Sequence, residues 1–393
     1  MAILKKHFSI SKYEQNSWVL QNANRHYIIS APAKELVDLL ERAENLEDAC
    51  SRFNEDYGYQ FKLEEFWAFI VNRLGFTGLL LDYEPVEEKE HKFINLQFVI
   101  LNAKWAGKIA APFIPLFNKV FFYISFGLLF LLAVFSLIRF SFQNTGFSVT
   151  DLMLLYLGTI VLHELGHIAA CKRFTGKNGE IGGGLYLIFP VLFSNITALW
   201  QAKKSERIIG NLAGVYMQLW CLVFFYLLNW LYPDVVLFNQ IVFMLALYSM
   251  IQLIPFIRSD GYWLLSDWSG TPNLLSRANA ALSDFIKSPK RFYTTDRRPK
   301  ASFLLGYSVF NNAVILYFIG LQLVWNIHAI LEFPLYLVDV FKHIFHLEAV
   351  AFDFSYFPVL LFYVVSFQLL KRGFDSVFKG NKNKETLAQS GAE

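Results

Sequence analysis

Leu152–Cys171 reads LMLLYLGTIVLHELGHIAAC, and the rest of the chain is best read outward from it. Up to Leu162 the run is apolar, and the whole stretch has the roughly 20 residues needed to cross about 30 Å of hydrocarbon. Three ionisable side chains, His163, Glu164 and His167, then fall within five residues. Groups of this kind are costly inside a membrane and are retained where they do chemistry. On a helix, His163 and His167 share one face, so both imidazoles can reach a single zinc ion. Glu164 stands beside them, placed to take a proton from a metal-activated water and return it to a leaving amine. The plainer alternative is a set of polar residues lining a helix interface.

Composition agrees with a membrane setting. Of 393 residues, 55% are hydrophobic, 18% aromatic and only 17% charged, and the mean hydropathy is +0.37. Soluble domains carry about 25% charged residues, which argues against an ordinary soluble enzyme. The 41 phenylalanines and 9 tryptophans exclude intrinsic disorder. A net charge of +3 gives no footing for nucleic acid, and no nucleic-acid partner is expected. Cys50, Cys171 and Cys221 make neither a disulfide framework nor a zinc ribbon. The first 25 residues mix charges with single apolar residues, so no cleavable signal peptide is expected.

Five further apolar runs are long enough to span: Phe113–Ile138, Ile208–Leu231, Val235–Ile257, Phe303–Ile327 and about Val350–Leu370. Basic residues cluster between the second and third spans (Lys172, Arg173, Lys203, Arg207), between the fourth and fifth (Arg277, Lys287, Arg297) and in the tail (Lys371, Arg372, Lys379). Connections 140–150 and 232–236 hold no Lys or Arg, and 328–349 holds only Lys342; Arg139 is a mild exception. The bias predicts six spans with both termini in the cytoplasm, in a lipid bilayer. A shorter run, Gly182–Trp200, opens on Gly182-Gly183-Gly184 and contains Pro190. With basic residues on both sides it is expected to re-enter the membrane rather than cross it, its backbone satisfied by protein or a watery cavity.

Two histidines need a third protein ligand if one position is to stay open for water. His7, His26 and His91 belong to the N-terminal part, and His328, His343 and His346 fall on the outer side. Asp260, in Ile254-Pro255-Phe256-Ile257-Arg258-Ser259-Asp260-Gly261-Tyr262, lies at the cytoplasmic end of the fourth span, at the depth of the histidine pair. Asp267 competes with it, and Asp260 could simply cap a helix. Depth and the break at Pro255 favour Asp260.

Residues from about 150 to 270 resemble the site-2 protease family of intramembrane zinc metalloproteases. The resemblance is carried by HELGH at 163–167, the glycine-rich run at 182–200, Arg207 with Ala213-Gly214, and Pro255 with Asp260-Gly261. It implies that His163, His167 and Asp260 bind zinc and that Glu164 is the catalytic base. It also implies that the short run is a re-entrant β-hairpin holding substrate as an extended strand. The family's asparagine, credited with contacting substrate or oxyanion, is Gln252 here, and its leucine before the aspartate is Ser259. No stretch resembles a PDZ domain or a cystathionine-synthase-type pair.

The first 95 or so residues are charged and periodic. Trp18–Leu20 and His26–Ser30 predict two strands, Ala31–Glu44, Leu46–Tyr57 and Leu63–Leu74 three helices, and Thr77–Asp82 a closing strand or tail. Residues 84–93 read as a charged linker. Residues 12–82 resemble the PqqD-like fold, the winged-helix leader-binding module of pathways that modify ribosomally made peptides. Element order, Ser30-Ala31-Pro32, the Leu46–Tyr57 spacing and Leu74-Gly75-Phe76 carry that resemblance. It implies that a leader peptide adds as a strand to an edge near Trp18–Leu20 or His26–Ser30.

The expected fold is thus a mainly α polytopic membrane protein, with about six transmembrane helices and a re-entrant β-hairpin. A small α+β winged-helix-like domain occupies residues 1–95, and a transmembrane zinc metalloprotease domain residues 96–393, with its core at about 150–270. The expected function is cleavage of a precursor peptide near the cytoplasmic face of a bacterial inner membrane. Two other functions fit the same residues: a peptide export or immunity protein with a structural zinc, and a signalling protease that cuts a membrane-anchored regulator. Tyr336–His346 is expected as an interfacial amphipathic helix. Oligomeric state is not legible in the sequence.

Overall fold

The computed structural model describes residues 3–5, 7–14, 16–22, 25–81, 83, 94–140, 149–186, 189–255, 258–289, 292, 298–345, 356, 358–367 and 369–370. The chain forms two units, Met1–Pro272 and Asn273–Glu393. The charged linker expected at 84–93 lies outside the described residues.

The first unit begins with an antiparallel sheet in the order β1 (Phe8–Glu14), β2 (Ser17–Asn22), β3 (Arg25–Ser30). β1 is not expected from the sequence, because Lys12 and Glu14 break the alternation that Phe8 and Ile10 begin. Its presence puts Trp18–Leu20 in the middle of the sheet, paired on both sides. Of the two docking edges expected, only β3 keeps an unpaired side among the described residues.

Three helices follow. α1 (Ala31–Arg42) starts on Pro32, whose missing N–H costs nothing in a first turn, and turns Leu36, Val37 and Leu40 inward. α2 (Leu46–Tyr57) is capped by Asn45, whose side-chain oxygen accepts from the Asp48 N–H at 2.8 Å, and stops at Gly58 in the left-handed region, φ 69°. α3 (Leu63–Leu74) buries Phe66, Ile70 and Leu74. These side chains, with Leu20, Ile29 and Phe53, form one apolar core, which Leu4 and Leu80 close by bridging the two ends of the segment.

A second sheet runs β4 (Ile94–Leu101), β5 (Glu180–Tyr186), β6 (Phe189–Asn195), all antiparallel. The run expected at 182–200 is therefore a hairpin, followed by a short 3-10 turn at Thr197–Gln201. Its three glycines have a packing reason. A Cβ on Gly182 would lie 2.5 Å from the Phe193 ring, one on Gly183 2.8 Å from Phe98, and one on Gly184 2.4 Å from Ile94. β6 is an edge strand, the place where a sheet tolerates Pro190.

The helices of this unit are α4 (Ala103–Ile109), α5 (Lys119–Arg139), α6 (Val149–Thr175), α7 (Lys204–Leu231), α8 (Val236–Gln252) and α9 (Asp260–Trp268). α5 starts later than the expected Phe113, because the proline-containing stretch Ala111–Phe117 is a 3-10 helix and the Asn118 side chain then caps α5. α8 ends at Gln252, short of the expected Ile257. Phe117, Phe122, Ile168, Ala213, Tyr216 and Leu245 belong to a second apolar core.

In the second unit the helices are Leu274–Lys287, Arg298–Trp325 and Ile327–Phe345, and the Ser308 hydroxyl bonds Asn279 at 3.1 Å. Ile327–Phe345 replaces the shorter helix expected at Tyr336–His346 and contains Pro334; His346 lies outside the described residues. Of Val350–Leu370, the apolar helix Pro358–Phe367 is described. Among the described residues, three helices are long and apolar enough to cross a membrane: Lys119–Arg139, Lys204–Leu231 and Lys300–Trp325. The protein is mostly helical, with two small sheets.

Candidate metal centre

The site forms where α6 meets α7, and small residues make that approach possible. A Cβ on Gly166 would lie 2.5 Å from the Ala213 carbonyl oxygen, and one on Gly214 2.3 Å from the His163 ring. Helices that cross this closely within a membrane use small residues at the contact. Gly214 is thus the floor on which the His163 imidazole rests.

His167 is oriented by α7. Its Nδ1 lies 2.8 Å from the Gly210 carbonyl oxygen. A carbonyl only accepts, so Nδ1 carries the proton and Nε2 presents a lone pair. That Nε2 faces His163 Nε2 at 3.1 Å. Asp260, the first residue of α9, brings Oδ1 to 3.5 Å from His167 Nε2 and Oδ2 to 3.5 Å from His163 Nε2. Gly261 lets the chain make this approach, since a Cβ there would lie 2.1 Å from the Leu253 carbonyl oxygen.

These donors suit a zinc ion. In a tetrahedral site with bonds of about 2.0–2.1 Å, ligand atoms stand roughly 3.3–3.4 Å apart. Here the two imidazole nitrogens are 3.1 Å apart, each lies 3.5 Å from a different oxygen of Asp260, and one atom from each residue makes a set within 4.8 Å. Asp260 Oδ2 is buried with no hydrogen-bond donor among the described residues, as expected of a carboxylate oxygen that faces a cation. Two imidazole nitrogens and one carboxylate also leave one tetrahedral position open.

Asp267, the sequence's other candidate, is engaged elsewhere. Its Oδ1 accepts from Arg207 Nε at 2.7 Å and its Oδ2 from Asn211 Nδ2 at 2.6 Å. Glu164 is 5% exposed, and its Oε2 accepts from the Ser194 hydroxyl at 2.7 Å. Ser194 lies on β6, and the sequence offers no signal for it. Gln252 closes α8 with its Oε1 buried and unpartnered, and no hydrogen bond joins it to Glu164 or to the three donors among the described residues.

Two buried histidines and a part-buried aspartate beside a glutamate, with three membrane-length apolar helices among the described residues, have the character of a membrane protein with a candidate metal site. A stretch of 126 residues is 32% identical to "Putative peptide zinc metalloprotease protein YydH" of Bacillus subtilis (strain 168). The match takes in 29% of this chain and 46% of that protein, so the chain spans less than half the length of the relative. No family model and no solved structure matches the chain. The likeness supports kinship with zinc metalloproteases at that general level.

Proposed function

We propose that the chain is a membrane-embedded zinc endopeptidase of the site-2 type. It cleaves a ribosomally made precursor peptide near the cytoplasmic face of a bacterial inner membrane. The observation that carries this reading is the convergence of His163 Nε2 and His167 Nε2, 3.1 Å apart, on the Asp260 carboxylate, whose two oxygens each lie 3.5 Å from one of them, beside buried Glu164. Zinc bound there would polarise a scissile carbonyl and make water acidic enough to attack near neutral pH.

The remaining work falls to side chains of the chain. Glu164 takes the proton of the attacking water and passes it to the leaving nitrogen. Ser194 holds one oxygen of that carboxylate, leaving the other to point at the reacting atoms. Gly210 keeps His167 in the tautomer that presents Nε2. Gln252 is assigned as an amide donor to the substrate carbonyl, through its Nε2.

Substrate capture uses the sheets. A peptide added to the open edge of β6 would run past Ser194, and main-chain pairing holds an extended strand while demanding little of its sequence. The open side of β3, in a PqqD-like N-terminal domain ending near residue 95, would take the leader in the same way. Six spans, a re-entrant hairpin and cytoplasmic termini belong to the same proposal, with the bilayer as partner.

The test is Glu164→Gln in reconstituted protein, with peptide products read by mass spectrometry. The variant should keep zinc and lose cleavage. Undiminished turnover would remove Glu164 from the mechanism.

A further inference from the structure

Tyr13 sits where the β1–β2 ladder breaks register: Lys12 faces Trp18 and Glu14 faces Ser17, which leaves Tyr13 between them. A break of this kind re-aims a side chain. The ring is 6% exposed, yet it lies outside the N-terminal apolar core. It packs instead on the other side of the first unit. The Arg207 Cζ stands 4.0 Å from the ring centroid, and the Trp200 ring stacks on it at 6.2 Å and 20°. The Tyr13 hydroxyl donates to Asp267 Oδ1 at 3.4 Å.

Arg207 is 3% exposed, and it bonds Asp267 Oδ1 through Nε at 2.7 Å and the Ala202 carbonyl through Nη1 at 3.1 Å. Asn211 holds the second Asp267 oxygen at 2.6 Å. Beside this cluster the Gln201 amide bonds Ser9 Oγ at 3.2 Å and also Gln21. The N-terminal sheet is therefore seated on α7 and the turn before it. Asp267 is also on α9, seven residues after Asp260, which is close to two helical turns and so the same face. A helix of nine residues cannot hold itself in place, since isolated helices under about 12–15 residues are marginal in water. Its contacts place it.

We infer that Tyr13 is a positioning residue. Through Arg207 and Asp267, the N-terminal sheet holds α9 where Asp260 meets His163 and His167. The inference rests on the metal-site reading above, and it makes the seating of the N-terminal sheet and the integrity of the metal centre two ends of one coupling. A movement of β1 away from Arg207 loosens α9 at its far end and withdraws the third ligand at its near end. A Tyr13 that merely fastened the sheet would lack this effect.

Two readouts on the full chain in lipid nanodiscs decide it: zinc affinity by chelator competition, and hydrogen exchange of the Asp260–Trp268 amides by mass spectrometry. Tyr13→Ala should weaken zinc by about 2- to 30-fold, the range for coupling through a packed network, and should speed exchange in α9. Tyr13→Phe keeps the ring over Arg207 and should stay close to wild type, while Asp267→Asn should follow Tyr13→Ala. Faster exchange in 8–14, with α9 exchange and zinc affinity unchanged, would overturn the inference. Should Tyr13→Ala fail to fold, Tyr13→Leu and Asp267→Asn carry the same comparison. A wild-type chain that binds no zinc would sink the metal-site reading, and the α9 exchange would still decide the coupling.

Discussion

The His167 Nδ1 atom lies 2.8 Å from the carbonyl oxygen of Gly210, so α7, which carries none of the candidate ligands, sets the tautomer of one that α6 presents. The carbonyl is reachable because Gly166 and Gly214 carry no side chain where α6 and α7 meet. The metal centre is therefore a property of the helix crossing as much as of the HELGH run.

Adding one methyl group at Gly214 tests that statement. The new Cβ would fall 2.3 Å from the His163 ring, so the imidazole would have to move. Gly214→Ala should lower zinc affinity by at least about tenfold. Circular dichroism should show the helices intact, and competition with a chelator reads the affinity.

Removing the metal should cost stability as well as activity. A ligand present at 100 times its Kd stabilises the folded state by about 2.7 kcal/mol. Stripping zinc should therefore lower the melting temperature in detergent and abolish peptide cleavage, and zinc should restore both. Equal melting curves with and without chelator would count against a bound ion in the folded protein.

Ser194 should matter for turnover more than for metal. Its hydroxyl is the donor to Glu164 Oε2, and it is not one of the three candidate ligands. Ser194→Ala should keep zinc and reduce kcat by roughly 10-fold or more, in the range typical of supporting contacts. Ser194→Thr, which retains the hydroxyl, should recover most of the loss.

The N-terminal domain carries its own check. Cys50 is 7% exposed, and burial pushes its thiol above the ordinary cysteine value, with the Asn54 hydrogen bond opposing by less. Only the thiolate reacts with alkylating agents. In a Cys171→Ser, Cys221→Ser background, labelling at pH 8 should be slow in the folded protein and fast in denaturant. Rapid labelling of the folded chain would mean that the domain opens readily.

What the sequence reveals follows from how local each feature is. His163, Glu164 and His167 share one turn of helix, so spacing alone places them together. Asp260 is distant in sequence but near in depth, and depth and the break at Pro255 favour it over Asp267, which the structure commits to Arg207 and Asn211. β4 is not legible, because its partner β5 lies some eighty residues on and INLQFVIL does not alternate cleanly. Tyr13, Arg207 and Ser194 act across the fold, on partners that no local pattern announces. Helix lengths are the other gap. Three described helices reach membrane length and apolarity where the hydropathy runs predict six spans, in part because α8 stops at Gln252 and the last run is only partly described.

The central claim is that His163, His167 and Asp260 together hold one zinc ion. X-ray absorption at the zinc edge, on wild type and on Asp260→Ala, tests it most directly. The wild-type spectrum should show nitrogen and oxygen neighbours only, at about 2.0–2.1 Å, with the outer scattering of two imidazoles. Asp260→Ala should bind zinc far more weakly. A sulfur shell at about 2.3 Å, or zinc retained at full affinity without Asp260, would contradict the account.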